Sequence, residues 1–208
     1  RIRISKSHLK RSPRVDRSSP MPIPYRDADD LSELGAAGYL KIEPSSVGSG
    51  YLGALFLINA RGEPIEFTYN RIETPHTFLW RHADIWRHAV RKLTASLLSL
   101  CPKTPRLILC LAEEVGSDLF CQDIQVSIPV ARIASAIKAS PYSGSETQDT
   151  VQASEPMNLF WFPGRPQDDS IELRLLHELV SRGLFLEPLE RAAIGLREVY
   201  RAKGDAAI

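Results

Sequence analysis

The sequence predicts a mixed α/β (α+β) fold, with a mixed β-sheet, a β-hairpin, one βαβ crossover and a C-terminal helical module. Two segments of strand length, 51–58 and 106–112, are continuously apolar, as strands buried on both faces are. A stretch with helical periodicity, 83–100, separates them. A strand, an amphipathic helix and a second buried strand in this order are typical of a crossover that packs the helix on the sheet.

The segment 50–72 predicts the β-hairpin. Its first strand is the first apolar run, and Gly62 supplies a turn residue that is free to adopt a positive φ. Its second strand alternates apolar with polar residues, as half-buried strands do. The apolar positions are Ile65, Phe67 and Tyr69. A shorter apolar run, 39–42, predicts a strand before the hairpin.

The second half of the chain predicts two more strands and two helices. Alternation over 124–130 indicates one strand, and 157–162 is a short aromatic strand. Asp169 or Ser170 caps a helix that runs to about Arg182, after which Gly183 ends it. A last helix has Pro188 in its first turn, and its apolar residues form one stripe.

The composition favours a soluble, cytoplasmic protein. The 26 basic and 25 acidic side chains nearly cancel, so the overall charge indicates no class of partner. No apolar run approaches the ~20 residues of a membrane-spanning helix, so no membrane contact is expected. The three cysteines, Cys101, Cys110 and Cys121, are odd in number and lack C-x-x-C spacing. We interpret them as buried, inert thiols in a reducing compartment.

Composition shifts divide the chain into four parts. Residues 1–30 form a basic tail that we expect to be flexible, and 31–138 form the α/β core domain. Residues 139–157 are polar without periodicity, which indicates a linker or long loop. Residues 158–208 form a helical module that packs on the core. Met21 offers a second start, so residues 1–20 are alternatively an upstream extension.

The order of elements over 50–130 resembles the ribonuclease H-like arrangement, endonuclease V included. The resemblance implies divalent metal held by carboxylates, beginning with an Asp on the first core strand. Taken as that strand, 50–58 contains no acid. Glu113 and Glu114, at the end of the second buried strand, are the only acids placed where such a ligand is expected. The resemblance therefore implies a degenerate active site.

Three acids are the catalytic candidates: Glu113, Glu114 and Asp123. The carboxyl ends of buried parallel strands are where open α/β sheets bind ligands, and carboxylate oxygens are ligands for Mg²⁺. The alternative is a solvated acidic loop. Because adjacent residues of an extended chain point to opposite faces, Glu113 and Glu114 serve one site only if the strand has already ended.

Basic residues are the candidates for nucleic-acid binding. They lie in the tail and on the outer side of the first helix, where their charge can neutralise phosphates. Solubilising the tail and the helix face is the alternative explanation. The candidates are Lys6, Lys10, Arg11, Arg14, Arg17, Arg87, Arg91 and Lys92.

The aromatic run Phe160, Trp161 and Phe162 has two interpretations. Exposed aromatic residues anchor protein interfaces, so the run is a candidate for binding a protein partner. Packing of the C-terminal module onto the sheet explains it equally well.

These observations leave three functions open. The first hypothesis is a non-enzymatic accessory or interaction subunit of a larger assembly, associated with nucleic acid and needing no cofactor. It depends on the absence of converging polar groups. The second is a metal-dependent nuclease or hydrolase of ribonuclease H-like type, which would need Mg²⁺. The third is a nucleic-acid-binding protein that acts through its basic tail. No feature identifies a small-molecule ligand.

Overall fold

A computed structural model describes residues 31–46, 49–74, 77–137 and 144–205. Those residues form seven strands and three α-helices, joined by short turns. The strands are β1 (Ala36–Pro44), β2 (Tyr51–Asn59), β3 (Pro64–Ile72), β4 (Leu107–Leu111), β5 (Val130–Ser135), β6 (Thr147–Gln152) and β7 (Pro156–Phe162). The helices are α1 (His82–Leu100), α2 (Ile171–Ser181) and α3 (Glu187–Asp205). The predicted basic tail lies outside the described residues.

All seven strands belong to one mixed sheet, in the order β3-β2-β1-β4-β5-β7-β6. β1 pairs with β4, and β4 with β5, in parallel; the other pairs are antiparallel. The prediction of a mixed α/β fold built on a mixed sheet is confirmed. No helix within the described ranges is both long enough and apolar enough to cross a membrane.

The hairpin of β2 and β3 forms as its sequence predicts. The N–H of Gly62 donates to the carbonyl of Asn59 over 3.0 Å, and Gly62 adopts a φ of 82°, which favours glycine. β2 is buried almost throughout because helices cover both faces of the sheet. α1 packs on one face through Val90, Leu93 and Leu97. α2 and α3 pack on the other face.

The helix boundaries also follow from the sequence. Ser170 caps α2, since its hydroxyl accepts a hydrogen bond from the N–H of Leu173 over 3.2 Å. Gly183 follows the helix with a φ of 71°, the left-handed conformation that ends many helices. The stripe predicted for the last helix is buried at Leu189, Ala192 and Leu196.

The position of β1 differs from the sequence expectation. We expected the apolar segments 51–58 and 106–112 to lie side by side, but β1 lies between β2 and β4. Its residues Leu40 and Ile42 are as buried as the apolar residues of either neighbour. The strand is nine residues long, so it can pair along both edges. The alternating sequence gives no sign of which edge each neighbour takes.

Two further segments differ from the expected elements. The strand predicted over 124–130 begins only at Val130, after a π-helical turn at Leu119–Asp123. Ile124, Val126 and Ile128 still pack against the α1 side of the core. Their periodicity therefore reflects burial without strand pairing. The predicted linker 139–157 contains β6, whose polar residues suit an exposed edge strand, and the first residues of β7. Residues 138–143 lie outside the described part.

Candidate functional site

The candidate site lies at one edge of the sheet, where β1 and β4 end. These two strands run parallel and pair from Ala37 with Leu107 to Leu40 with Cys110. Their carboxyl ends therefore meet at the same edge, and open α/β sheets bind ligands at such edges. Lys41 follows the last paired residue of β1, and Glu114 follows the end of β4.

Lys41 and Glu114 form an ion pair at this edge. The Nζ of Lys41 contacts Oε1 of Glu114, and both side chains are largely buried. The backbone N–H of Ile42 donates to Oε2 of the same carboxylate over 3.1 Å. A turn positions Glu114, since its own N–H donates to the carbonyl of Leu111 over 3.1 Å. The carboxylate thus holds a cation on one oxygen and a backbone donor on the other.

Burial changes the acidity of Glu114. Desolvation raises the pKa of its carboxyl, while hydrogen bonds from Lys41 and from the N–H of Ile42 partly lower it again. The net pKa lies above the ordinary glutamate value. A carboxylate of this kind accepts a proton more readily near neutral pH than an exposed glutamate does.

A cleft of about 390 Å³ opens beside the ion pair. Lys41 lies at one side of it, and α3 forms the other side with Glu190, Ile194 and Arg197. Two cations and one anion thus line a cleft whose remaining surface is apolar. The cleft suits a ligand that carries negative charge.

Glu113 and Asp123 lie elsewhere, in a second cleft of about 290 Å³ that also contains Trp86 and Asp118. Arg87 donates to both carboxylate oxygens of Asp123 over 3.1 Å, and its Nη1 lies 3.8 Å from Asp118. This guanidinium balances much of the acidic charge in the second cleft. The three acids predicted as catalytic are therefore divided between two clefts.

The described residues do not fit the metal site that the resemblance implies. Within the described ranges, no group of three or more His, Cys, Asp or Glu side chains is placed to hold an ion. The oxygens of Glu114 are bound by Lys41 and by Ile42, and those of Asp123 by Arg87. The first core strand is β1 rather than 50–58, and its charged residues are Lys41 and Glu43. Lysine stands near the position where the resemblance implies a carboxylate.

Sequence reasoning missed Lys41. The residue interrupts the apolar run Tyr39-Leu40-Lys41-Ile42, and a lone lysine inside a buried strand was the available signal. Its partner is 73 residues away in the chain, so no local pattern connects the two.

The predicted basic residues are placed only in part. The five in the tail lie outside the described residues. Arg87 is paired with Asp123, whereas Arg91 and Lys92 are exposed on α1. Their binding of nucleic acid stays a prediction.

The aromatic run packs in β7 rather than on the surface. Phe160 and Trp161 are buried in the sheet, and Phe162 is half-buried. The packing interpretation therefore describes these residues, and they offer no exposed anchor for a protein partner. The cysteines correct a second expectation: Cys110 is buried, but Cys101 and Cys121 are only half-buried.

Comparison with known proteins finds likeness in structure and none in sequence. No protein-family model matches the chain, and no curated protein matches it. The solved endonuclease V of Bacillus subtilis is similar, with a TM-score of 0.52 and 11% identity over 86% of this chain and 85% of that one. The endonuclease V of Streptomyces avermitilis is similar too, with a TM-score of 0.51 and 13% identity over 84% of this chain and 83% of that one.

These likenesses show the fold, which is the ribonuclease H-like α/β fold. They also correct the first functional hypothesis. The solved proteins that share this architecture are nucleases, so the expectation of a non-enzymatic accessory or interaction subunit is wrong. The nuclease alternative fits the comparison better.

Proposed function

We propose that this protein is a nuclease that hydrolyses phosphodiester bonds at the edge where β1 and β4 end. The observation that carries the proposal is the contact between Lys41 and Glu114 beside a cleft. It supplies a cation for a phosphate and a proton acceptor for water within one pair of side chains. The shared fold with two endonuclease V structures supports nucleic acid as the substrate class.

Substrate binding activates the pair. A phosphodiester oxygen competes with Oε1 of Glu114 for the ammonium group of Lys41, because both are anions. Once the phosphate takes this cation, the carboxylate is free to accept a proton. Arg197, on the far side of the cleft, adds a second positive charge for the strand.

Hydrolysis then follows a simple course. A water molecule attacks phosphorus as Glu114 takes one of its protons, and a new oxygen–phosphorus bond forms. The bond between phosphorus and the leaving sugar oxygen breaks, and that oxygen takes up a proton from solvent. Lys41 lies beside the phosphate and stabilises the negative charge that grows on its oxygens.

This course requires no divalent ion at the edge. The Mg²⁺ expected under the nuclease alternative finds no ligand set among the described residues, because each candidate carboxylate is held by a cation. Hydrolysis that depends on Lys41 and Glu114 should therefore persist when divalent ions are removed.

The test is cleavage of end-labelled DNA and RNA, single-stranded and duplex, in EDTA and in Mg²⁺. We expect cleavage in EDTA, and a loss of about 100-fold or more in Glu114→Gln, as expected for removal of a general base. Glu113→Gln is the matched control, since it changes the neighbouring carboxylate in the other cleft. Absence of cleavage in both buffers contradicts the proposal, and so does a loss in Glu113→Gln that equals the loss in Glu114→Gln.

A further inference from the structure

The segment that leads into α1 exposes three large apolar side chains in a row. Phe78 is 81% exposed, Leu79 is 72% exposed and Trp80 is 39% exposed. Adjacent exposed apolar groups of this size mark binding surfaces more often than isolated ones do. The function proposed above makes no use of this segment.

Aromatic and cationic groups meet on the adjoining turns of α1. The rings of Trp80 and His88 have centroids 4.9 Å apart and an interplanar angle of 59°. Arg91 and Lys92 follow His88 by three and four residues, so they lie on the same side of the helix as its ring. Burial lowers the pKa of His88, and the charges of Lys92 and Arg91 lower it further. The two cations are therefore close enough to act on this ring.

The topology places this surface at the edge that holds the Lys41–Glu114 pair. β1 and β3 both run antiparallel to β2, so they run parallel to each other and end at the same edge. The chain leaves β3 at Ile72 and enters α1 at His82. The first turns of α1 then reach the end of β4, since Trp86 shares a cleft with Glu113.

We propose that Phe78, Leu79, Trp80 and His88, together with Arg91 and Lys92, form a stacking surface for single-stranded nucleic acid. Unpaired bases present open aromatic faces, whereas the bases of a duplex are covered by their neighbours. Exposed rings beside cations match a chain of bases on a phosphate backbone. The choice of nucleic acid as ligand rests on the proposed nuclease function, and the preference for single strands comes from this surface.

The test is binding of a fluorescent oligonucleotide of about 12 nucleotides, a length within the range of known single-strand sites. Glu114→Gln is used as the background, so that the strand stays intact. We expect tighter binding of the single strand than of the same sequence as a duplex. Trp80→Leu should weaken single-strand binding about 10-fold, whereas Trp80→Phe should retain most of it, because stacking needs an aromatic face. Thermal unfolding of each variant verifies that it folds.

Leu100→Ala is the matched control. Leu100 is also exposed, at 58%, but lies at the other end of α1, so its replacement should leave binding unchanged. A double change, Arg91→Ala with Lys92→Ala, should flatten the salt dependence of log Kd by about 1.4, or about 0.7 for each phosphate contact. Arg174→Ala, on the exposed side of α2, should leave the slope as it is.

The binding and cleavage experiments separate the two proposals. Equal affinity for single strand and duplex overturns the stacking surface, and so does a Trp80→Leu protein that binds as tightly as its parent. Failure to bind any oligonucleotide overturns it too. If single-strand binding depends on Trp80 but no strand is cleaved, the surface stands and the nuclease proposal falls.

Discussion

Arg132 and Glu146 form a bidentate ion pair inside the protein. Their Nε–Oε1 and Nη2–Oε2 distances are 2.6 and 2.8 Å, and their side chains are 2% and 1% exposed. The Nη1 of Arg132 also donates to the carbonyl of Val115 over 3.0 Å. One side chain of β5 thus holds both the lead-in to β6 and the turn that carries Glu114.

Replacing Arg132 alone should destabilise the protein strongly. Arg132→Met leaves the carboxylate of Glu146 buried without its cation, which costs about 3–5 kcal/mol of the free energy of unfolding. Urea denaturation measures the loss. Arg132→Met with Glu146→Leu should regain much of it, since two apolar groups replace the pair. A double variant no more stable than the single one contradicts the argument. Arg165→Met, which breaks a more exposed pair with Asp149, should cost less than about 1 kcal/mol.

Lys41→Met should make the stability depend more steeply on pH. The pKa of Glu114 is already raised by burial and is lowered in part by Lys41, so removing this cation raises it further. A carboxyl whose pKa is higher in the folded state binds protons preferentially when folded, so its contribution falls as pH rises from the ordinary value through the folded one. Lys41→Met should therefore lose more stability at pH 8 than at pH 5, measured by urea denaturation. Adding Glu114→Gln should remove this difference.

The pH dependence of cleavage should report the same carboxyl. Glu114 must be ionised to accept a proton, so the rate should rise through an apparent pKa above the ordinary value of 4.5. A profile of kcat/KM against pH locates this limb. Lys41→Met should lower the rate and move the limb to higher pH, while Lys103→Met, on the loop before β4, should leave the limb in place. An acid limb at or below the ordinary value would remove Glu114 as the base.

The three cysteines should react in two classes. Burial raises the pKa of Cys110 to about 12, and its Sγ lies 3.9 Å from the carbonyl of Ala131. Cys101 and Cys121 are half-buried. A thiol reagent that reports by absorbance should therefore label two thiols in the native protein at pH 8. The third should react only after unfolding in guanidinium, and its reaction at the rate of the others would show that β4 opens.

Ser170→Ala should cost about 1 kcal/mol of stability. The change removes the hydroxyl that accepts the N–H of Leu173 and caps the start of α2. Ser181→Ala serves as the control, since that hydroxyl donates to the carbonyl of Glu178 at the other end of the helix. Guanidinium unfolding of the two variants compares them directly, and equal losses would contradict the capping role.

The sequence predicts the elements of this fold better than it predicts their order. The apolar runs, the stripes of α1 and α3, and the cap at Ser170 depend on neighbours within a few residues. The place of β1 depends on pairing Ala37 with Leu107, and no local pattern encodes that choice. β6 was missed because an edge strand has no need of apolar residues on either face.

The candidate site was predictable only on one side. Glu114 was found because it follows a buried strand. Its placement with Lys41 could not be found, since 73 residues separate them and only the parallel pairing of β1 and β4 brings them together. The separation of Glu113 from Glu114 follows from local geometry, because neighbouring residues near a strand end point to different sides.

The central position of β1 also determines how the chain can fold during synthesis. β2 follows directly and covers one edge of β1, but the partner for its other edge, β4, is completed only at Leu111. Until then a ribosome-bound chain carries an apolar strand with an open row of N–H and C=O groups, where foreign strands can attach. Translation that pauses before Leu107 should therefore promote aggregation, whereas a pause after Ser135 should be harmless to the nascent sheet.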